Sequence, residues 1–225
     1  MNLNEAYKEA RLSAVEGTAV SDRTYNLAIG IVVLWGLLVN YLMYRFLSGP
    51  ILEMNYLLMI VLYFAGSFGG MMIVYKSPSA VVSFLGFTLL AAAMGLLLTF
   101  LLTLYSEESI LLAVRITGVT TSIMIVLALI WPNFFLGLGR TLMLSLVICL
   151  VVELIFGLLL RMNMGIMDWV VSLIFCGYIG FDWARAQQYP KTLDNAVDSA
   201  ADIYVDIVNL FVRILEIVGR SRSKN

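Results

Sequence analysis

The sequence contains no histidine. This absence excludes a Ser-His-Asp triad, a Cys-His dyad, an H-E-x-x-H zinc site and a proton relay built from imidazoles. Any proton transfer near neutral pH must therefore depend on carboxyl groups whose pKa values the protein shifts. Cysteine is also scarce. Cys149 and Cys176 lie in apolar runs without C-x-x-C spacing, so we expect two small buried side chains and no redox or metal site.

Charged residues are also scarce. They make up 13% of the 225 residues, whereas soluble domains carry about 25%. Hydrophobic residues make up 61% of the chain, and its mean hydropathy is +0.95. Because one membrane span takes about 20 apolar residues, the chain has room for roughly six to eight spans and no soluble catalytic domain. The composition predicts an all-α polytopic protein of the lipid bilayer. A net charge of −1 without a basic cluster argues against nucleic acid as a partner.

The apolar runs divide the chain into seven helical segments. We predict spans at about 25–46, 55–75, 80–104, 110–131, 138–160 and 167–186, and an acidic seventh segment at 194–220. Turn signals at Gly49-Pro50 and Trp131-Pro132 separate neighbouring spans. We therefore expect a polar N-terminal segment at 1–23, one integral membrane domain at 24–219 and a basic tail at 220–225. Residues 1–23 lack the pattern of a signal peptide, so we expect this segment to be retained.

The seventh segment carries a narrow polar stripe. At about 100° per residue its strongly polar side chains, except the first ones, Asp194 and Asn195, fall within one arc of roughly 80° on a helix. These residues are Asp198, Asp202, Asp206, Asn209, Arg213, Glu216 and Arg220. Such a helix either lies in the membrane interface with its stripe toward water, or sits inside a bundle where the stripe lines a cavity or meets polar partners.

Two acidic residues stand out in the preceding spans. Glu153 lies inside the fifth span, where a carboxylate is unfavourable unless it is protonated or paired. It serves either in packing within the bundle or in the passage of ions or protons. Asp182 lies near the end of the sixth span, three residues before Arg185, and its simplest interpretation is an ion pair at a helix end.

The distribution of Lys and Arg predicts a cytoplasmic N-terminus. With that orientation, cytoplasmic segments hold Lys8, Arg11, Arg23, Lys76, Arg140, Arg185 and Lys191, and opposite loops hold Arg45, Arg115 and Arg161. The basic tail with Arg220 and Arg222 complicates this assignment. Seven complete crossings would place the tail outside, whereas a re-entrant or interfacial seventh segment would keep it inside. Both arrangements remain open.

The last third of the chain resembles the closing signature of the Bax inhibitor-1/YccA family, also called the transmembrane Bax inhibitor motif family, in its bacterial type. The resemblance rests on the run FDWARAQ at 181–187 and the run AADIYVDIVNLFVRILEIVG at 200–219. The matching residues of the second run are Ile203, Tyr204, Asp206, Asn209, Leu210 and Phe211. Ala201 replaces the usual leucine, and the remainder of the chain agrees in length, hydropathy and number of spans.

This resemblance implies a seven-helix fold in which the last helix is central and six pack around it. It also implies an aspartate pair that senses pH, gates a calcium leak and supplies calcium ligands. Here the pair falls on Asp182 and Asp206. For the basic latch residue that the family carries in helix 2, Lys76 is a weak counterpart. Further polar residues of the predicted pore or stripe are Asp198, Asp202, Asn209, Arg213 and Glu153.

The resemblance also implies calcium ions or protons as transported partners, no other cofactor, and the plasma membrane of a bacterium as the location. The main enzymatic rival is an intramembrane aspartyl protease, for which Phe181-Asp182 is similar to a Tyr-Asp motif. The second protease motif, G-x-G-D, is absent because Tyr204 and Val205 precede Asp206, so we predict no enzyme. A non-conducting regulator that binds another membrane protein, such as a membrane protease or a translocon component, is the alternative.

Overall fold

The computed structural model describes residue 11, residues 19–156 and residues 165–222. Within these residues the chain forms seven α-helices and no strand, apart from one isolated antiparallel bridge between Ala19 and Thr192. The helices are α1 Asp22–Leu52, α2 Tyr56–Lys76, α3 Ala80–Leu102, α4 Glu107–Ile130, α5 Pro132–Leu154, α6 Gly165–Ala186 and α7 Leu193–Arg222. The predicted all-α class is confirmed.

Six of these helices, α1 to α6, are long and apolar enough to cross a membrane. Their most apolar stretches have a mean hydropathy between 1.4 and 2.3. Helix α7 is 30 residues long but is not among the six, because the acidic and basic residues of its stripe recur along its length. The prediction of a multi-pass membrane protein is confirmed, and whether α7 crosses the membrane stays a prediction.

Proline does not end the first helix where the sequence predicted a turn. Helix α1 continues through Gly49 and Pro50 to Leu52. A proline removes one N–H donor from a helix, but the last turn of α1 keeps other bonds, including one from the Glu53 N–H to the Gly49 carbonyl at 3.2 Å. A proline this close to the end of a helix therefore disturbs only its final turn.

Pro132 begins a helix, and no loop separates it from α4. Trp131 is the residue between the two helices, and α5 starts at Pro132, six residues before the predicted span. The first position of a helix suits proline, because the missing N–H has no partner within the helix there. The end of the predicted fifth span and Arg161 lie outside the described residues.

The chain divides into two compact units. The first comprises residues 1–104 and 188–204, and in it α3 packs against both α1 and α2. Helices α2 and α3 approach closely at the G-x-x-x-G spacing of Gly66 and Gly70. A Cβ atom at Gly70 would lie 2.7 Å from the carbonyl oxygen of Gly86, and one at Gly66 would lie 2.7 Å from the Cβ of Ala93. This motif therefore serves helix packing.

The first half of α7 belongs to this first unit, and its side chains from Asn195 to Tyr204 are buried. The Tyr204 hydroxyl donates to Asn40 Oδ1 at 2.7 Å, and the Asn40 amide donates to the Ala91 carbonyl at 2.8 Å. The Tyr204 ring meets Phe87 edge to face, with 5.2 Å between ring centroids. These contacts tie the first half of α7 to α1 and α3 within the first unit.

The second unit comprises residues 105–187 and 205–225, and in it α6 packs against α4 and α5. A Cβ atom at Gly177 would lie 2.6 Å from Leu142, and one at Gly139 would lie 2.6 Å from Phe181. Glycine therefore permits close approach of α5 and α6. Cys149 is buried as predicted, whereas Cys176 is only partly buried, and both are free thiols.

Candidate functional site

Asp182 and Asp206, the predicted sensor pair, are both buried in the second unit. Asp182 lies on α6 with 7% of its surface exposed, and Asp206 lies on α7 with 6% exposed. Arg185 pairs with Asp182 across one helical turn, with its Nη2 atom 2.8 Å from Oδ1. The Arg185 guanidinium also lies over the Phe181 ring, 5.1 Å from its centroid. The ion pair predicted from the spacing of Asp182 and Arg185 is therefore present.

Tyr178 lies within electrostatic range of both members of the pair. Its phenol interacts electrostatically with the carboxyl groups of both Asp206 and Asp182, and with Arg185. Tyr178 precedes Asp182 by four residues, so the two side chains lie on the same face of α6. The sequence analysis did not single out Tyr178, although its spacing from Asp182 in the run GYIGFD contains that signal. Both predicted sensor residues therefore lie within electrostatic range of one phenol.

Arg213 is the centre of a second group of charged side chains in the same unit. Its guanidinium donates to both carboxylate oxygens of Glu153, at 2.7 and 2.8 Å, and to Asp168 Oδ1 at 2.9 Å. Glu216 lies one turn along the same helix, 3.6 Å from Arg213. Glu153 is therefore an ion-paired carboxylate, which is one of the two ways in which the sequence allowed it to reside in a span.

Asp168 was missed by the sequence analysis. It lies in the first turn of α6 with 3% of its surface exposed, and it pairs with Arg220 as well as with Arg213. The available signal was an acidic residue between Met167 and Trp169 at the start of an apolar run. These side chains form one charged cluster near the ends of α5, α6 and α7. Its members are Glu153, Asp168, Arg213, Glu216 and Arg220.

The Asn209 side chain forms its hydrogen bond within α7 and not with either group of charged side chains. Its side-chain amide donates to the Val205 carbonyl one turn earlier in α7, at 2.8 Å. Lys76, the weak candidate for the latch, is exposed in the last turn of α2. The preceding residue, Tyr75, instead donates a hydrogen bond to Asp202 on α7. Helix α2 therefore contacts the acidic stripe through a phenol.

Asp198 and Asp202, the first two stripe residues, belong to the first unit and surround Arg11. The Arg11 Nε lies 3.5 Å from Asp198 Oδ2, and its Nη1 lies 3.6 Å from Asp202 Oδ2. Arg11 also donates to Ser199 Oγ at 2.6 Å and to the Asn195 carbonyl at 2.9 Å. From the sequence, Arg11 was predicted only to be one of the cytoplasmic basic residues.

Burial controls the protonation of this group. Asp198 lies in the second turn of α7, outside the six membrane spans, and burial raises its pKa from 3.8 to about 8. The guanidinium of Arg11 opposes this increase, whereas the neighbouring carboxyl groups of Asp194 and Asp202 add to it. Burial also lowers the pKa of Lys191 in the connection before α7. Burial therefore favours the protonated form of Asp198, whereas its ion pair with Arg11 favours the carboxylate.

Two comparisons with known proteins bear on this arrangement. A family described as "Inhibitor of apoptosis-promoting Bax1" matches residues 18–223, which is most of the chain. The chain is also similar to "Protein LIFEGUARD 1" of Arabidopsis thaliana, with 36% identity over 117 residues. That match covers 50% of this chain and 48% of the plant protein, so the chain spans about half the length of this relative.

Proposed function

The chain belongs to the Bax inhibitor-1 family, and from this premise we propose that it is a pH-sensitive calcium leak channel gated by Asp182 and Asp206. The observation that supports this proposal most directly is their shared environment. Both carboxyl groups are buried within one unit, and both interact with the phenol of Tyr178. Calcium is the transported ion in this proposal and not a resident cofactor. We further propose that the protein is not an enzyme and serves in the plasma membrane of a bacterium.

Arg185 determines which carboxyl group of the pair holds a proton. A guanidinium 2.8 Å from Asp182 stabilises the ionised form of that carboxyl group. Two acidic groups in a poorly solvated site do not both ionise readily and titrate as a unit, so the proton of the pair belongs on Asp206. In this state the three side chains carry no net charge. This neutral state is the closed state of the proposed channel.

Loss of the proton from Asp206 leaves a net charge of −1 on Asp182, Arg185 and Asp206. The added repulsion between the carboxylates weakens the contact between α6 and the second half of α7, and the oxygens become ligands for a hard cation. Calcium takes six to eight oxygen ligands, whereas two carboxylates supply at most four oxygens, so water must complete the shell. A weak site of this kind suits conduction, because an ion must leave as readily as it enters.

The test is calcium leak measured in proteoliposomes as a function of pH. We expect a midpoint above that of a free aspartate, about 3.9, with more leak on the alkaline side. Asp206→Asn and Asp182→Asn should each flatten the dependence on pH. The double substitution should add little to either single one, because the two residues act as one pair. Asp22→Asn, an exposed aspartate in the first turn of α1, is the matched control.

Two results would contradict this gating. Additive effects of Asp182→Asn and Asp206→Asn would show that the carboxyl groups act separately. An unchanged pH profile in both single variants would leave Asp182 with the role of a helix-end ion pair only. Absence of calcium flux in pure proteoliposomes, together with co-purification of a membrane protein, would favour the alternative of a non-conducting regulator.

A further inference from the structure

Arg11 is held on all sides within the first unit. Only 3% of its surface is exposed, and its guanidinium bonds to Asn195, Ser199 and both neighbouring aspartates. The ring of Tyr189 lies against it, 3.7 Å from ring centroid to guanidinium carbon. The Asn195 amide in turn donates to the Arg11 backbone carbonyl at 2.9 Å. A guanidinium buried to this degree requires such a set of partners, because desolvation of an unpaired charge is very unfavourable.

The partners of Arg11 form the acidic end of α7, which we define as Asp194, Asp198 and Asp202. Residues four positions apart share one face of a helix, so these three carboxyl groups form a continuous row. Ser83 donates to Asp194 at 2.7 Å, and Tyr75 donates to Asp202. These hydroxyl donors bring no charge to the row. Arg11 brings a positive charge to the row and pairs with its two inner members, Asp198 and Asp202.

Residues between 19 and 25 also contact the start of α7. The Val20 N–H donates to the Lys191 carbonyl at 2.7 Å, and Ala19 forms a bridge with Thr192. The Tyr25 hydroxyl lies 3.1 Å from the hydroxyl of Ser199, which also accepts from Arg11. Ala19, Val20 and Tyr25 therefore contact α7 next to the residues that hold Arg11.

We propose that Arg11 is an autoinhibitory contact. It acts as a cation tethered to the chain that occupies the acidic end of α7 and excludes free cations such as calcium from these carboxylates. Cation flux then requires Arg11 to leave this position. The effect on flux rests on the proposed channel function, whereas the retention of Arg11 by Asp198 and Asp202 does not.

The geometry also determines which side chains could replace Arg11. The guanidinium bonds to Ser199 and the Asn195 carbonyl through Nη2, and its Nε and Nη1 face the carboxylates of Asp198 and Asp202. Lysine has a single nitrogen and cannot place donors along this row in the same way. Arg11→Lys should therefore retain the charge and only part of the inhibition, whereas Arg11→Gln should lose both.

The first experiment compares calcium leak at neutral pH in proteoliposomes of the wild type, Arg11→Gln and Arg11→Lys. We expect Arg11→Gln to raise the leak by about tenfold, the change in an equilibrium constant expected when one charge-assisted hydrogen bond is lost. Arg11→Lys should give a smaller increase. Asp22→Asn should leave the leak unchanged. Retention of an entrapped fluorescent dye reports whether the liposomes remain intact.

The second experiment needs no flux. Trypsin cleaves after arginine, and a guanidinium held by carboxylates cannot enter the protease. We expect the double variant Asp198→Asn/Asp202→Asn to be cleaved after Arg11 about tenfold faster than the wild type, again the effect of one lost charge-assisted bond. Cleavage after the exposed Arg140 in α5 reports general unfolding and should not change. Mass spectrometry identifies the fragments.

The outcomes separate the two proposals. A pH-dependent leak that Arg11→Gln does not raise, or dye loss that accompanies the raised leak, would overturn the autoinhibitory role and leave the channel function in place. Absence of leak in every variant would overturn the channel function and the effect of Arg11 on it, while accelerated cleavage would still support its retention by the aspartates. Unchanged cleavage after Arg11, or equal acceleration at Arg140, would overturn that retention.

Discussion

Substitution of Arg213 by glutamine should destabilise the protein much more than substitution of its partner Glu153. The Arg213 guanidinium donates hydrogen bonds to both Glu153 and Asp168. Arg213→Gln therefore removes a charged partner from two carboxylates at once. Glu153→Gln removes one carboxylate, and Arg213 keeps Asp168 at 2.9 Å and Glu216 at 3.6 Å. The asymmetry follows from the central position of Arg213 in its cluster.

The expected magnitudes follow from the environment of the pair. Removing one partner of a buried ion pair destabilises a protein by about 3–5 kcal/mol. We take the lower end, about 3 kcal/mol, because Arg213 is partly exposed and Arg220 still pairs with Asp168. Glu153→Gln keeps a hydrogen-bond acceptor beside Arg213 and should destabilise by about 1 kcal/mol. For a chain of this size these values correspond to melting temperatures lower by roughly 6–12 °C and 2–4 °C.

The assay is thermal unfolding of the purified protein in one detergent, with Arg115→Gln as the matched control on the exposed surface of α4. The double variant Glu153→Gln/Arg213→Gln should melt above the temperature expected from adding the two single effects, since one unpaired carboxylate is then absent. A lower melting temperature for Glu153→Gln than for Arg213→Gln would refute this reasoning. A large loss of calcium flux in folded Glu153→Gln would instead assign that residue to the permeation path.

Three further predictions concern other parts of the molecule. The raised pKa of Asp198, about 8 against 3.8, means that Asp198 holds its proton more tightly in the folded protein than in the unfolded chain. The melting temperature should therefore decrease as the pH rises from about 4 to about 8, and Asp198→Asn should reduce that decrease. Gly70→Val should lower the melting temperature, whereas Gly69→Val, which has open space, should not. A reporter fused after residue 10 should read cytoplasmic, and an opposite signal would reverse the predicted orientation.

The membrane spans could be predicted from the sequence because an apolar run of sufficient length is a local property. Most predicted bounds lie within a few residues of the helices that the structure describes. The errors occurred at prolines, because a sequence pattern does not show where a proline falls within a helical turn. Pro50 lies close enough to the end of α1 to be accommodated, and Pro132 occupies the first position of α5.

The contacts of the candidate site also include some that the sequence predicts and others that depend on the tertiary structure. Asp182 and Arg185 are three residues apart on one helix, so their ion pair follows from helical geometry. Glu153 and Arg213 are 60 residues apart in the sequence, and their pairing depends on how α5 packs against α7. Arg11 and Ser199 are separated by 188 residues. Charge alone identified the polar stripe, but its partners required the tertiary structure.

The cluster around Arg213 has a consequence for biosynthesis. Ribosomes make Glu153 and Asp168 before the guanidinium groups of Arg213 and Arg220, so the first two acidic residues enter the membrane ahead of their basic partners. Until α7 is complete, these carboxylates must stay protonated, remain in contact with water, or bind another cation. A nascent chain that ends before Arg213 therefore holds α5 and α6 in an unfavourable state. Synthesis of α7 therefore stabilises the insertion of the two preceding helices.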